Sequence, residues 1–400
     1  MKRLLAASAV AAALCFGTVE NAASQNLVIT NARIIVGNGT VIHRGQVVIE
    51  NGRIASVGAA PARLRGATTL DARGMTAMPG FIDAHRHIIS GNAEQWLETQ
   101  AADRMQEFLD AGYTTLLAGG GPAEGNIELA RRIESGELNG PRVIPAGNVS
   151  LGRATPAQVR AELRRLAALG IKFIGEEVIS PKPPTPTELE NLKALVDESH
   201  KAGVWVMVHA VSPQAMLAAV DAGAQKLVHT PHFGWLTDDD AHKVAAAGIE
   251  NLSTIGFGVP VFGVFADDNK PRFRDGRPWP ESILQGDGRG QEAGYKAVNA
   301  RTLWDNGVVY GFGTDTNYLP SAGLAHELRS LNLMFSMQDL VELMGPNTAA
   351  FIEMSDELGT LEPGKLADIV LLDGNPLEGY WNFLKTKVVV KGGKIVTDHR

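Results

Sequence analysis

The sequence predicts an α/β protein: a (β/α)8 TIM-type barrel with a small β-sandwich domain formed by the N- and C-terminal segments. Two patterns carry that prediction. Short strands joined by hairpin dipeptides occupy both ends of the chain, and between them helices closed by glycine are each followed at once by an apolar run. A third pattern points to chemistry, because four of the ten histidines stand where predicted strands finish.

At the N-terminal end, Leu27 to Ile29, Ala32 to Val36, Gln46 to Glu50 and Ile54 to Val57 read as strands. Asn38-Gly39 and Asn51-Gly52 lie between them, and such pairs supply the positive φ that tight hairpin turns require. The other end repeats the pattern, with Ala367 to Leu372 and Lys387 to Val396 as strands and Gly392-Gly393 as a turn. The expected organisation is a leader over 1–24, sandwich segments over 25–78 and 360–400, and the barrel over 79–359.

Within the barrel segment, Thr155-Pro156, Thr185-Pro186, Ser212-Pro213 and Thr237 with Asp240 begin helices that end at Gly170, Gly203, Gly223 and Gly248. A hydroxyl at the N-cap accepts from an otherwise unpaired amide, and a glycine just past the last turn takes the left-handed conformation that stops a helix. Strands then follow at 171–178, 204–209, 225–229 and 250–255. Gly112 before 113–118 and Gly307 before 308–314 repeat the arrangement, and strands near 79–87 and 142–147 bring the count to eight. Helix-strand alternation means parallel strands joined by crossovers. A doubly wound sheet is the alternative, but Gly119-Gly120-Gly121 lacks the G-x-G-x-x-G spacing expected of one, so that triplet reads as a plain turn.

Lys2 and Arg3, an apolar run from Leu4 to Phe16 and small residues around Ser24 have the three-part layout of a secretory signal. The expectation is a secreted or periplasmic protein. Cys15, the only cysteine, lies in that leader, so disulfides, cysteine nucleophiles and thiolate metal sites are excluded from the mature chain. The formal charge of -7 is spread along the chain with no run of basic residues, which argues against nucleic acid as a partner. No other apolar stretch reaches 18 residues, so no membrane association is expected after leader removal. A small-molecule substrate is the expected partner, and homo-oligomerisation stays open.

His85 and His87 close the first barrel strand, His209 and His229 close two later ones, and Asp315 closes the last. Residues i and i+2 of a strand share a face, so two imidazoles there can converge on one cation. Any one of these residues has an ordinary explanation: a buried, satisfied histidine, or an aspartate capping the next helix. The five together, each at a strand end where barrel enzymes hold their active sites, point to metal.

The order H-x-H, His, His, Asp, the entry Pro79-Gly80-Phe81-Ile82-Asp83 and the closing Gly313-Thr314-Asp315 resemble the amidohydrolase superfamily. So does the tail, Gly359-Thr360-Leu361-Glu362-Pro363-Gly364-Lys365-Leu366-Ala367-Asp368. The resemblance implies a barrel with one or two divalent metal ions that activate a water for attack on an amide, lactam or ester carbonyl. It also implies that Asp315 is both metal ligand and proton shuttle. Imidazole and carboxylate donors suit Zn2+ first, with Mn2+, Fe2+ or Co2+ as alternatives.

Many binuclear relatives carry a carbamylated lysine on the fourth strand, whereas Lys172 lies too early here. Ile174-Gly175-Glu176 resembles the enamidase-like and imidazolonepropionase-like branch, in which a glutamate bridges the metals. Strand parity allows only one of Glu176 and Glu177 to face the barrel interior and leaves the choice open; the resemblance favours Glu176, with Gly175 allowing a close approach of backbone to metal. A mononuclear deaminase is the alternative function, although Ala210-Val211-Ser212-Pro213 offers no carboxylate after His209. A barrel that binds a ligand without turnover is a third reading. His232, Asn317, Tyr318 and His326 are candidates to grip substrate, and the Gly/Pro-rich segment 257–295 reads as a lid or pocket wall.

Overall fold

The computed structural model describes residues 26–60, 64–256, 289–316 and 319–400. The expected leader, Asn317, Tyr318 and most of the expected lid lie outside the described residues. Along the chain come β1 (Leu27–Ile35), β2 (Val41–Glu50), β3 (Arg53–Gly58), β4 (Thr68–Asp71) and β5 (Thr76–Pro79). Then follow β6 (Phe81–Arg86), β7 (Tyr113–Ala118), β8 (Arg142–Ile144), β9 (Ala146–Gly147), β10 (Phe173–Val178), β11 (Trp205–His209), β12 (Lys226–Val228), β13 (Glu250–Leu252) and β14 (Val309–Gly311). The last strands are β15 (Ile369–Leu372), β16 (Thr386–Lys391) and β17 (Lys394–Asp398).

Strands from both ends of the chain hydrogen-bond as one eight-stranded sheet in the order β17-β16-β15-β5-β1-β2-β3, with β4 paired to β1. Period-2 alternation divides its side chains between two clusters. Ile369, Leu371, Val388 and Val390 join a small core with Leu27, Ile29 and Ile34, while Val370, Leu372 and Val389 pack into the large core of the central strands.

The central strands are parallel and fall into two sheets, β14-β13-β12-β11-β10-β9 and β6-β7-β8. The chain and two backbone hydrogen bonds connect the sheets. Pro145 separates β8 from β9, and having no N–H it interrupts what the sequence suggested as a single strand over 142–147. Ala84 N donates to Phe312 O at 3.1 Å and Asp315 N to His85 O at 2.8 Å.

The expected strand 79–87 is also divided. β5 pairs with β15 in the terminal sheet, and the chain changes sheets at Gly80, where a side chain would stand 2.4 Å from Thr114 Oγ1. The helix signals act as their chemistry requires. Capping boxes close at Thr155, Thr185 and Thr237, and Gly112, Gly170, Gly203, Gly223, Gly248 and Gly307 all have positive φ. Among the described residues, no helix is long and apolar enough to cross a membrane.

Candidate metal centre

The parallel strands run in one direction, so their C-terminal ends deliver side chains to one place. His85 is on β6 and His87 one residue beyond it, His209 ends β11, His229 follows β12, and Asp315 lies four residues past β14. Two groups of potential ligands result: His85, His87, Glu176 and Asp315, and Glu176, His209 and His229, with donor atoms in each group within 4.8 Å of one another. Glu176 belongs to both. Its Oε2 lies 2.9 Å from His85 Nε2 and 2.8 Å from His229 Nε2, and its Oε1 lies 3.3 Å from His209 Nδ1. Asp315 Oδ1 is 3.1 Å from His87 Nε2 and 3.4 Å from His85 Nε2.

His85 is wholly buried, yet neither ring nitrogen makes a properly directed hydrogen bond, and the same holds for His209 Nδ1. Buried polar atoms are normally paired. Imidazole nitrogens left without a hydrogen bond among carboxylate oxygens form a donor set that fits a divalent cation.

The electrostatics agree. Burial alone would lower the His85 pKa, but the Asp315 and Glu176 carboxylates push it up to about 10. Burial would raise Glu176, but the imidazoles of His209, His229 and His85 hold it well below the usual carboxylate range. Asp315, also buried, is held low first by His229 and then by His85 and His87. Both carboxylates are therefore ionised.

A bulge decides which glutamate faces this cluster. Ile174 pairs with Val206 and Glu177 with Val208, so β10 carries one residue more than β11 over that stretch. The extra residue re-aims the local side chains. Glu176 turns to the histidines, whereas Glu177 is 2% exposed and its Oε1 accepts from Val149 N at 2.6 Å. Burial pushes Glu177 up to about 8. At Gly175 a Cβ would stand 2.5 Å from Met207 Cε and 2.9 Å from Met207 Cβ, so a larger residue there requires the neighbour to shift.

The Gly119-Gly120-Gly121 triplet is more than a turn. A Cβ at Gly119 would meet the His85 ring at 2.8 Å, and one at Gly120 would meet Gly175 O at 2.6 Å. Asn148 joins the same two segments, its Oδ1 accepting from Gly121 N at 2.7 Å and its Nδ2 donating to Gly175 O at 2.8 Å. Neither the triplet's contact with His85 nor Asn148 was identified from sequence, since both depend on loops meeting across strands.

His229, Thr254 and Asp315 each follow a parallel strand and have φ of 74°, 40° and 52°. Left-handed backbone is costly for β-branched and other non-glycine residues and gathers at functional sites. Thr254 holds His229 through a 2.7 Å contact between Oγ1 and Nδ1. Behind it, buried Lys296 donates to Thr254 O at 3.3 Å, and Glu327 accepts from Ile255 N at 2.9 Å and Gly256 N at 2.7 Å.

Asp83, beneath the site, accepts from Thr314 Oγ1 at 2.6 Å and Thr314 N at 3.0 Å, which ties the H-x-H strand to the segment carrying Asp315. His232 follows His229 by three residues, and burial followed by the Lys296 charge lowers its pKa to about 3. His326 is buried on the helix Pro320–Leu331.

A profile of the amidohydrolase family matches residues 76–396. The chain belongs to the amidohydrolase family. It is thus a hydrolase acting on carbon–nitrogen bonds, in a family that uses divalent metal ions. This amidohydrolase is 26% identical to an imidazolonepropionase of Geobacillus thermodenitrificans, over 90% of this chain and 91% of that protein. It is also 26% identical to a 5-methylthioadenosine/S-adenosylhomocysteine deaminase of Symbiobacterium thermophilum, over 87% and 85% of the two chains. Among solved structures, a Xaa-Pro dipeptidase with bound methionine superposes with a TM-score of 0.74 at 23% identity, covering 93% of this chain and 99% of that one. That likeness shows a shared fold.

Proposed function

We propose that this amidohydrolase cleaves an amide, lactam or peptide-like C–N bond with a metal-activated water, and that the eight parallel strand positions close as a (β/α)8 barrel over 79–359. The terminal sheet, from 25–78 and 360–400, folds back over its own small core as a sandwich. The observation that carries the functional reading is Glu176, whose carboxylate stands between two ligand groups.

In this reading His85, His87, Glu176 and Asp315 would hold one divalent ion, and Glu176, His209 and His229 would hold a second. Zinc is the first choice, ahead of manganese, iron and cobalt. The metal supplies Lewis acidity to water and to the scissile carbonyl. Asp315 Oδ1 lies within 3.4 Å of both His85 Nε2 and His87 Nε2, and it takes the proton from the attacking water and returns it to the leaving nitrogen. His232 and His326, with Asn317 and Tyr318, are the proposed substrate contacts. The leader over 1–24 directs export to a periplasm or the exterior.

The deaminase-named relative supports a second reading, a mononuclear deaminase. Against it stands Ala210-Val211-Ser212-Pro213, which brings no carboxylate after His209. Elemental analysis and turnover of cyclic amides, dipeptides and purines by the purified protein decide between them. The hydrolase reading expects up to two divalent ions, loss of turnover with chelator, and product without free ammonia from the amides. Full activity in metal-free protein, or ammonia release from purines alone, overturns it. Asp315→Asn, which keeps the shape and removes the base, is expected to slow turnover at least about a hundredfold.

A further inference from the structure

The formal charge of -7 is distributed through the sequence without a basic run, but folding assembles one. Arg33 on β1, Arg44 on β2 and Arg73 just after β4 line a cleft of 340 Å3 in the terminal sheet, together with Asn31, His43, Asp71 and Gly74. None of these residues belongs to the histidine–carboxylate cluster.

Three features separate the cleft from an ordinary solvated face. Among the described residues, no carboxylate forms an ion pair with Arg33, Arg44 or Arg73. Two of the guanidiniums are held by an amide and an imidazole instead: Arg44 Nη2 donates to Asn31 Oδ1 at 3.0 Å, and Arg33 Nη1 lies 3.4 Å from His43 Nδ1. Asp71, the only acid among the described residues lining the cleft, is already engaged by Asn31 Nδ2 and Arg73 N, both at 2.9 Å. Nearby Arg400 brings its own counter-charge, Asp398 at 2.7 Å. Three arginines, two of them tethered, therefore face one cleft with one acid among its described lining residues.

We propose that this cleft binds a small, multiply charged oxyanion of the phosphate class, remote in chemistry from the hydrolytic site. Planar guanidiniums present forked N–H donors that match phosphate oxygens. The cleft's size lies in the range of small-molecule sites. An anion seated there neutralises Arg33, Arg44 and Arg73 together, which no carboxylate among the described residues does.

Calorimetric titration of the full-length metal-loaded protein with inorganic phosphate at low ionic strength tests this, with vesicles of anionic phospholipid as a second probe. Saturable binding is expected, and Arg44→Gln with Arg73→Gln should weaken it at least about tenfold, as expected for losing charge-assisted hydrogen bonds. Melting temperature and hydrolytic turnover should not change in that variant. Equal phosphate affinity in the double variant, which would place the anion at the metal, overturns the proposal. So does the absence of saturable binding, and so does vesicle binding without free phosphate binding.

Discussion

Thr254 Oγ1 lies 2.7 Å from Nδ1 of His229, while Nε2 of the same ring lies 2.8 Å from Glu176. One ring nitrogen is thus occupied by a hydroxyl, and the other is left to the candidate metal centre. Such an outer partner fixes the tautomer and the ring angle of a ligating histidine. Thr254→Val should lower metal affinity about tenfold or more, the range seen for outer partners, and Thr254→Ser should restore it. Unchanged metal affinity in the valine variant, measured by competition with a chromophoric chelator, would show that Thr254 only packs.

Glu176 and Glu177 are adjacent but differ in what they touch, and their substitution should separate them. Glu176→Gln should reduce the metal content towards one ion per chain and nearly abolish hydrolysis. Glu177→Gln keeps an oxygen for the Val149 amide and should retain both. Metal lost only from the Glu177 variant would move the bridge from Glu176 to Glu177.

Gly175 faces Met207, so Gly175→Ala should displace the strand that carries Glu176 and cut turnover sharply. Adding Met207→Ala removes the Cε and Cγ atoms that meet the new methyl, although Met207 Cβ at 2.9 Å remains. Partial recovery in the double variant is expected. A double variant as inactive as the single one would show that the glycine serves its backbone rather than its neighbour.

Glu327 gives a pH signature. Burial raises its pKa from an ordinary 4.5 to about 7. Between those values the folded protein binds more protons than the unfolded chain, so this group's contribution falls as pH rises. Glu327→Gln should therefore gain on the parent protein from pH 5 to pH 8, by at most about 3 kcal/mol. Chemical denaturation at both pH values measures it, and a constant difference would mean that Lys296 keeps the carboxylate ionised throughout.

Much of this protein could be read from local chemistry. Thr155, Thr185 and Ser212 cap helices, and Gly203 or Gly248 end them, because an N-cap hydroxyl and a left-handed glycine act within a few residues of chain. For the same reason the places of His85, His87, His209, His229 and Asp315 near strand ends were legible, since apolar runs and their ends are local.

Contacts between distant segments were not legible. The parity of β10 could not choose between Glu176 and Glu177, because the bulge that settles which one faces the histidines arises from pairing with β11. The Gly119 triplet reads as a turn until β7 brings it against the His85 ring. Thr254, Asn148 and the arginines at 33, 44 and 73 carry no motif; Thr254 and Asn148 acquire partners, and the arginines a shared cleft, only when the strands are laid side by side. Capping and periodicity act over single turns and strands, so residue order specifies them. The direction of a side chain at the site depends on register, packing and electrostatic balance across the sheets, and only the tertiary structure decides those.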